Sequence, residues 1–104
     1  ESVTRKGADM IYTIEQIKDK CWKVFDKQNF IKEAYLFGSY ARGEATEKSD
    51  IDFMIVLNRT VGLEFFGLYH FLQEGFGKNV DVISEKEAYG IMPKSIERDK
   101  VRVY

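Results

Sequence analysis

Gly-Ser-Tyr-Ala-Arg-Gly-Glu-Ala-Thr-Glu-Lys-Ser-Asp-Ile-Asp-Phe-Met-Ile-Val-Leu, residues 38–57, contains two short motifs from which the organisation of the chain can be worked out. A Gly-Ser pair, Gly38 and Ser39, is followed after ten residues by Asp50-Ile51-Asp52. Glycine allows the backbone to approach a phosphate closely, and a serine at a helix start offers a hydroxyl and an N–H where anions are favoured. The first motif therefore predicts a turn that binds the phosphates of a nucleoside triphosphate.

The second motif predicts a site for metal ions. Residues Ile51 to Leu57 form an apolar run typical of a strand, and side chains two positions apart on a strand point the same way. We therefore expect Asp50 and Asp52 to be neighbours. Two carboxylates about 4 Å apart repel by about 4 kcal/mol at an effective dielectric of 20, and a cation removes that repulsion. Mg²⁺ is the ion that binds one or two carboxylates together with substrate phosphates.

A third carboxylate and an arginine complete the predicted site. Asp81 lies in the apolar sequence Asn79 to Ile83, which predicts a further strand, and it joins the aspartate pair if that strand lies beside the first. Three carboxylates support two metal ions, so Asp50, Asp52 and Asp81 are predicted to be catalytic and metal-binding residues. Arg42, one helical turn after the glycine, is predicted to bind the same phosphates with its planar set of donors.

Composition limits the class of protein. The chain has 104 residues, a net charge of −1 and a single cysteine, Cys21. That length suits one domain, and the near-neutral charge gives no global basic field, so direct nucleic acid binding is not expected. No apolar run reaches the ~20 residues that a membrane span needs, and we expect a cytoplasmic protein with no membrane partner. We assign residues 13–104 to one domain and residues 1–12 to an N-terminal extension or tag remnant.

Local patterns predict the remaining secondary structure. A capping box at Thr13 and apolar residues at helical spacing predict a helix over Ile14 to Lys27. A second capping pattern at Ser84 predicts a short helix, and Pro93 fits the start of another helical turn. The other predicted elements are strands at 32–37 and 101–104, a helical turn at 39–42 and a helix at 61–77. The last strand is either a sheet edge or a pairing surface, and its pattern does not decide between them.

The helix predicted over residues 61–77 is unusually aromatic. It contains four of the eight phenylalanines of the chain, and its apolar stripe includes only two of them. Phe66 and Phe71 fall off the stripe, so the helix is either sandwiched inside the domain or covered by another chain. The only histidine, His70, is interpreted as a surface or interface residue because the predicted chemistry already has its carboxylates.

The Gly-Ser, ten-residue, Asp-x-Asp pattern resembles the signature of the polymerase-beta-type nucleotidyltransferase superfamily, and the chain is similar to its smallest members, the minimal nucleotidyltransferase antitoxins. The resemblance implies an α/β fold with a small mixed sheet and flanking helices, and the use of ATP and Mg²⁺. It places phosphate binding on Gly38 and Ser39. It places the metal carboxylates on Asp50, Asp52 and Asp81.

The resemblance also implies a partner. Minimal nucleotidyltransferases lack the additional domains that position substrates in larger relatives, and their partner is typically a HEPN-domain ribonuclease toxin. The implied reaction is transfer of AMP from ATP to a toxin tyrosine, which neutralises the toxin. Two alternatives stay open: a non-catalytic antitoxin that blocks the toxin by binding, and nucleotidyl transfer to a small molecule or an RNA end. The sequence leaves the base preference, the acceptor residue and the formation of a homo-oligomer undecided.

Overall fold

The computed structural model describes residues 10–104, so most of the segment assigned to an extension or tag remnant, residues 1–9, lies outside the described residues. The elements are α1 (Ile14–Phe25), β1 (Ile31–Phe37), α2 (Gly38–Arg42), β2 (Ile51–Leu57), α3 (Glu64–Phe76), β3 (Val80–Ser84), α4 (Glu85–Ile91), α5 (Pro93–Asp99) and β4 (Val101–Arg102). Within residues 10–104, no helix combines the length and apolar character that crossing a bilayer would require.

The four strands of the described residues form one mixed sheet in the order β3-β2-β1-β4. β1 runs antiparallel to both β2 and β4, whereas β2 and β3 are parallel. The predicted mixed sheet with flanking helices is therefore confirmed. β4 lies at one edge, and its regular pairing ends sooner than predicted, although Val103 still donates a backbone hydrogen bond to Ala34.

The two faces of the sheet bury different helices. On the first face, α1 and α3 pack on alternate residues of β1 and β2 to form the larger core, which includes the single cysteine, Cys21. On the second face, Ala88 of α4 and Ile96 of α5 pack against Phe37 and Met54. Because strand side chains alternate between faces, Asp52 shares the second face with Met54.

Capping explains where the helices begin. The Thr13 hydroxyl accepts a hydrogen bond from the Gln16 N–H, and the Gln16 side chain accepts one from the Thr13 N–H, which is the predicted capping box. The Ser84 hydroxyl accepts from the Glu87 N–H at the start of α4, and Pro93 is the first residue of α5. Proline suits that position because the first N–H groups of a helix have no partner within it.

The helix α3 is shorter than predicted and is not sandwiched. It ends at Gly77, whose φ of 66° is a left-handed conformation that stops a helix. Phe66 and Phe71 are 71% and 53% exposed, so the interpretation of α3 as a helix buried inside the domain is wrong. His70 is also exposed and pairs with Glu74 at 3.0 Å, as expected for a surface histidine.

Packing extends ahead of the predicted domain start. Tyr12 is 6% exposed, and its hydroxyl donates to the Phe76 carbonyl oxygen at 2.6 Å. The Met10 carbonyl oxygen accepts a hydrogen bond from Lys78 at 2.9 Å. Residues 10–12, which the sequence interpretation assigned to the extension, therefore pack with the domain.

We expect Phe25→Ala to destabilise the protein strongly. Phe25 is fully buried and makes edge contacts with Phe53 and Tyr104, so truncation leaves a cavity and should lower the free energy of unfolding by about 3–5 kcal/mol. Urea denaturation measures the loss. The matched control is Phe66→Ala, the same change at an exposed site, which should cost less than about 0.5 kcal/mol. Equal losses in the two variants would contradict the assignment of Phe25 to the core.

Candidate active site

The predicted site residues converge at one end of the sheet. Because β1 is antiparallel to β2, its last residue lies beside the beginning of β2, and the parallel β3 begins at the same end. Phe37, Asp52 and Asp81 are consecutive partners across these strands. The turn that follows Phe37 therefore starts directly beside the two carboxylates.

Gly38 is required by the close approach of Asp52. It has a φ of +73°, and a Cβ built on it would lie 2.2 Å from Oδ2 of Asp52. Gly43, which ends α2, has the same φ of +73° but meets nothing within 4 Å. The sequence predicted that a glycine at position 38 admits a phosphate. The structure adds that its missing side chain also makes room for a carboxylate.

Ser39 presents a hydroxyl with no protein partner among residues 10–104. It is the second residue of α2 and is half-buried. Its carbonyl oxygen accepts the Glu44 N–H at 2.9 Å, which fixes the turn, whereas its side chain makes no hydrogen bond within the described chain. The hydroxyl is therefore available to a ligand, and its role in phosphate binding stays a prediction.

Asp52 and Asp81 are partners across the parallel strands β2 and β3, and their carboxyl groups interact. The pKa of Asp52 is raised to about 7, first by burial and then by a hydrogen bond that it donates to Asp81 when protonated, by the charge of Asp81 and by the charge of Asp50. The Arg42 guanidinium acts in the opposite direction on this pKa. Because its pKa is raised, Asp52 keeps its proton to a higher pH than an ordinary aspartate does, which lowers the repulsion between the two side chains.

Asp50 lies beside this pair without joining it. It immediately precedes β2 and is exposed, and it lines a neighbouring hollow with Ser49, Lys78 and Asn79. Its charge nevertheless acts on Asp52. Within the described part of the chain, no three carboxylate, imidazole or thiol groups are arranged closely enough to hold a metal ion. The structure thus brings Asp52 and Asp81 together and leaves Asp50 at the rim.

The donor set fits a hard divalent cation. Asp52 and Asp81 lie side by side on neighbouring strands, and protonation of Asp52, whose pKa is raised, lowers the repulsion between them. A cation can take over that role, and carboxylate oxygens with room for phosphates are the ligands that Mg²⁺ binds in proteins. Asp52 and Asp81 would hold such an ion, and the negative charge of Asp50 acts on Asp52 from outside the pair.

A cleft of about 410 Å³ opens beside the carboxyl pair, and its lining includes residues that sequence analysis missed. Tyr69 belongs to the apolar stripe of α3, yet it is 37% exposed and lines this cleft together with Met92. No spacing rule connects positions so far apart in the chain. The full lining is Phe37, Asp52, Tyr69, Asp81, Val82, Ile83 and Met92.

Arg42 is held by two carboxylates. Its Nε donates to Glu44 at 2.9 Å and its Nη1 donates to Asp99 at 3.0 Å. These ion pairs raise the pKa of Arg42 above its ordinary value, through Glu44 first and then Asp99. The sequence predicted Arg42 as a phosphate ligand but gave no signal for Asp99. The role of Arg42 in phosphate binding stays a prediction.

Comparison with known proteins gives consistent matches. The family model described as the nucleotidyltransferase domain matches residues 9–103. A relative from Methanocaldococcus jannaschii, named "Putative protein adenylyltransferase", is 40% identical over 98 residues, covering 88% of this chain and 98% of the relative.

Two solved structures share the fold. A toxin-antitoxin crystal structure with AMP-PNP superimposes with a TM-score of 0.72 at 22% identity, covering 84% of this chain and 72% of that chain. A complex of a tri-AMPylated Shewanella oneidensis HEPN toxin with an MNT antitoxin gives a TM-score of 0.68 at 19% identity, covering 88% of this chain and 72% of that chain. At these identities the structural likeness establishes the fold.

We expect Gly38→Ala to disrupt the site more than Gly43→Ala does. Both variants carry the same backbone penalty, about 1–2 kcal/mol for a left-handed alanine, but only the first forces Asp52 to move. Thermal melting with and without Mg²⁺ and ATP measures the ligand-dependent stabilisation. It should vanish in Gly38→Ala and persist in Gly43→Ala, and equal behaviour of the two variants would count against the contact.

Asp52→Asn should stabilise the metal-free protein at high pH. Because the pKa of Asp52 in the folded state is about 7, above its value in the unfolded chain, the wild-type protein loses stability as the pH rises from about 4 to 7. At pH 8 in the presence of a chelator, the free energy of unfolding of Asp52→Asn should exceed that of wild type by on the order of 1–2 kcal/mol, a figure discounted for the partial exposure of the carboxyl group. Urea titrations at pH 5 and pH 8 test this.

The matched control is Asp19→Asn on the exposed side of α1, which should leave the pH dependence unchanged. Adding Mg²⁺ should stabilise the wild-type protein and Asp19→Asn more than Asp52→Asn. A pH profile that is the same for wild type and Asp52→Asn would contradict the raised pKa.

Proposed function

The chain belongs to the nucleotidyltransferase domain family, and from this we propose that it is a Mg²⁺-dependent protein adenylyltransferase that transfers AMP from ATP to a tyrosine hydroxyl of a HEPN ribonuclease toxin. Such a transfer would neutralise the toxin. The observation that carries the proposal is the sheet register, which sets Asp52 beside Asp81 and brings the Asp52 carboxylate against Gly38, the residue before Ser39. Acidic groups close to a turn that carries a free hydroxyl support a site for a metal-bound triphosphate.

The proposed reaction needs a phosphate anchor and a proton acceptor. The acceptor oxygen attacks the α-phosphorus of ATP, a new O–P bond forms, and the bond to the bridging oxygen of the β-phosphate breaks to release pyrophosphate. Ser39 binds the triphosphate through its hydroxyl, and Arg42 offers charge to it. Asp81, the exposed member of the pair, takes the proton of the acceptor hydroxyl.

Metal ions supply the remaining charge compensation. Two Mg²⁺ ions, held by Asp50, Asp52 and Asp81, would neutralise the triphosphate and the leaving pyrophosphate. The arrangement of the carboxyl groups supports this assignment in one further way: Asp52 lies at the centre, in electrostatic contact with both other aspartates.

The partner follows from the relatives and from an exposed surface. The name of the Methanocaldococcus relative supports a protein substrate, and the Shewanella complex supports a HEPN toxin as that substrate. On this chain, the exposed Phe66 and Phe71 of α3 offer apolar area for such a protein. ATP as the donor and a reduced, buried Cys21 suit the cytoplasm.

One observation favours a second candidate, an antitoxin that acts by binding alone. Asp50 stands apart from the carboxyl pair, and no three-ligand metal cluster is formed within residues 10–104. A site that had lost turnover could keep the toxin-binding surface. The two candidates differ in whether neutralisation depends on the carboxylates.

We expect the toxin to gain the mass of one or more AMP groups when it is incubated with this protein, ATP and Mg²⁺, and to lose ribonuclease activity in parallel. Intact mass spectrometry and an RNA cleavage assay measure the two effects. Asp52→Asn combined with Asp81→Asn should abolish both, whereas Asp19→Asn should preserve both. If the double variant still neutralises the toxin as well as wild type does, the binding-only antitoxin is the better description.

A further inference from the structure

Asp99 is the one charged side chain that is buried within residues 10–104. It is the last residue of α5, and its side chain is only 4% exposed. Burying a carboxylate is costly unless it is paired, and here the pairing comes from two arginines. Arg42 lies at 3.0 Å and Arg98 at 2.8 Å, and the hydrogen bond from Arg98, followed by that from Arg42, lowers the pKa of Asp99.

The two arginines differ in what they can do. Arg98 adjoins Asp99 in sequence, and its side chain is 68% exposed, so this ion pair is local and faces solvent. Arg42 comes from α2, which is 57 residues earlier in the chain and carries Gly38 and Ser39. The Arg42–Asp99 pair therefore ties the end of α2 to α5, on the face of the sheet that also carries Asp52 and Asp81.

Asp99 controls the direction of the Arg42 guanidinium more than Glu44 does. Glu44 also accepts from Arg42, but its side chain is 64% exposed, and an exposed ion pair holds its geometry weakly. The buried Asp99 cannot move without losing its pairing, so it fixes one edge of the guanidinium. Arg42 then stays near enough to act on the pKa of Asp52.

We propose that Asp99 is a positioning residue, which holds the Arg42 guanidinium where it contacts the triphosphate of the nucleotide bound at Ser39 and Asp52. This inference rests on the proposed function and deepens it. Asp99 touches neither substrate nor the reacting atoms. It acts through Arg42, so removing Asp99 should weaken nucleotide binding only while Arg42 is present.

A double-mutant cycle tests this dependence. The variants are Arg42→Ala, Asp99→Ala and the two combined, and the probe is Mg²⁺ with an ATP analogue that has a methylene group between the α- and β-phosphates. We expect Arg42→Ala to weaken binding about tenfold, Asp99→Ala about three- to tenfold, and the double variant no more than Arg42→Ala. Calorimetry gives the dissociation constants, and thermal melting confirms that each variant is folded.

Arg98→Ala is the matched control, because it removes the other arginine from the same carboxylate. It should leave the dissociation constant within about twofold of wild type. Asp99→Glu keeps the charge, so it should bind the analogue more tightly than Asp99→Ala does. If Asp99→Ala does not fold, Asp99→Asn, which keeps the shape of the side chain, is used in its place. In AMP transfer, the KM for ATP should rise while kcat changes little, which a loss of folding would not produce.

Two results would overturn the proposal. One is unchanged nucleotide affinity in a folded Asp99→Ala or Asp99→Asn variant. The other is a double variant whose loss equals the product of the two single losses, since independent effects multiply. Failure of the proposed function gives a different result. In that case the wild-type protein binds the analogue but transfers no AMP, and the double-mutant cycle still measures the coupling between Arg42 and Asp99.

Discussion

The contact between the Asp52 carboxylate and the bare backbone of Gly38 is the constraint on which the site depends. It exists because β1 and β2 pair antiparallel in a register that sets Phe37 opposite Asp52, so the turn after β1 must pass over that carboxylate. The parallel pairing of β2 with β3 then places Asp81 opposite Asp52. Three segments distant in sequence are brought together by the register of one sheet.

The two faces of the sheet differ in their roles. The second face, where smaller helices pack, carries the two carboxyl groups of the site, which repel each other. The first face carries the larger core, in which Phe25, Phe53 and Phe76 form a continuous aromatic cluster between α1, β2 and α3. Burial of such rings is the main favourable term in folding. The fold can therefore tolerate the repulsion between two neighbouring carboxyl groups outside its larger core.

Much of this organisation was predictable because its signals are local. The capping box at Thr13, the apolar run of β2 and the polar spacer before it are patterns that a short window of sequence contains. The prediction that Asp81 lies beside Asp52 depended on the assumption that their strands are neighbours in the sheet. The observed parallel pairing of β2 and β3 supports that assumption.

The features that the sequence did not predict depend on contacts between distant parts of the chain. The exposure of Phe66 depends on which other elements cover α3, and helical periodicity does not contain that information. The burial of Asp99 depends on Arg42, more than fifty residues away, so no window includes both. Asp50 lies one residue ahead of β2, where the regular alternation of a strand has not begun, and its role as a metal ligand stays a prediction.

The position of β3 has a consequence for how large an acceptor can be. β3 is the outer strand of the sheet, and no described element extends the sheet beyond it. Asp81 is thus flanked by a strand on one side only, and a macromolecule could bring a side chain alongside it without any segment of this chain having to open. Access from the open side does not limit the size of the molecule that delivers the hydroxyl. A site enclosed on all sides would limit that size.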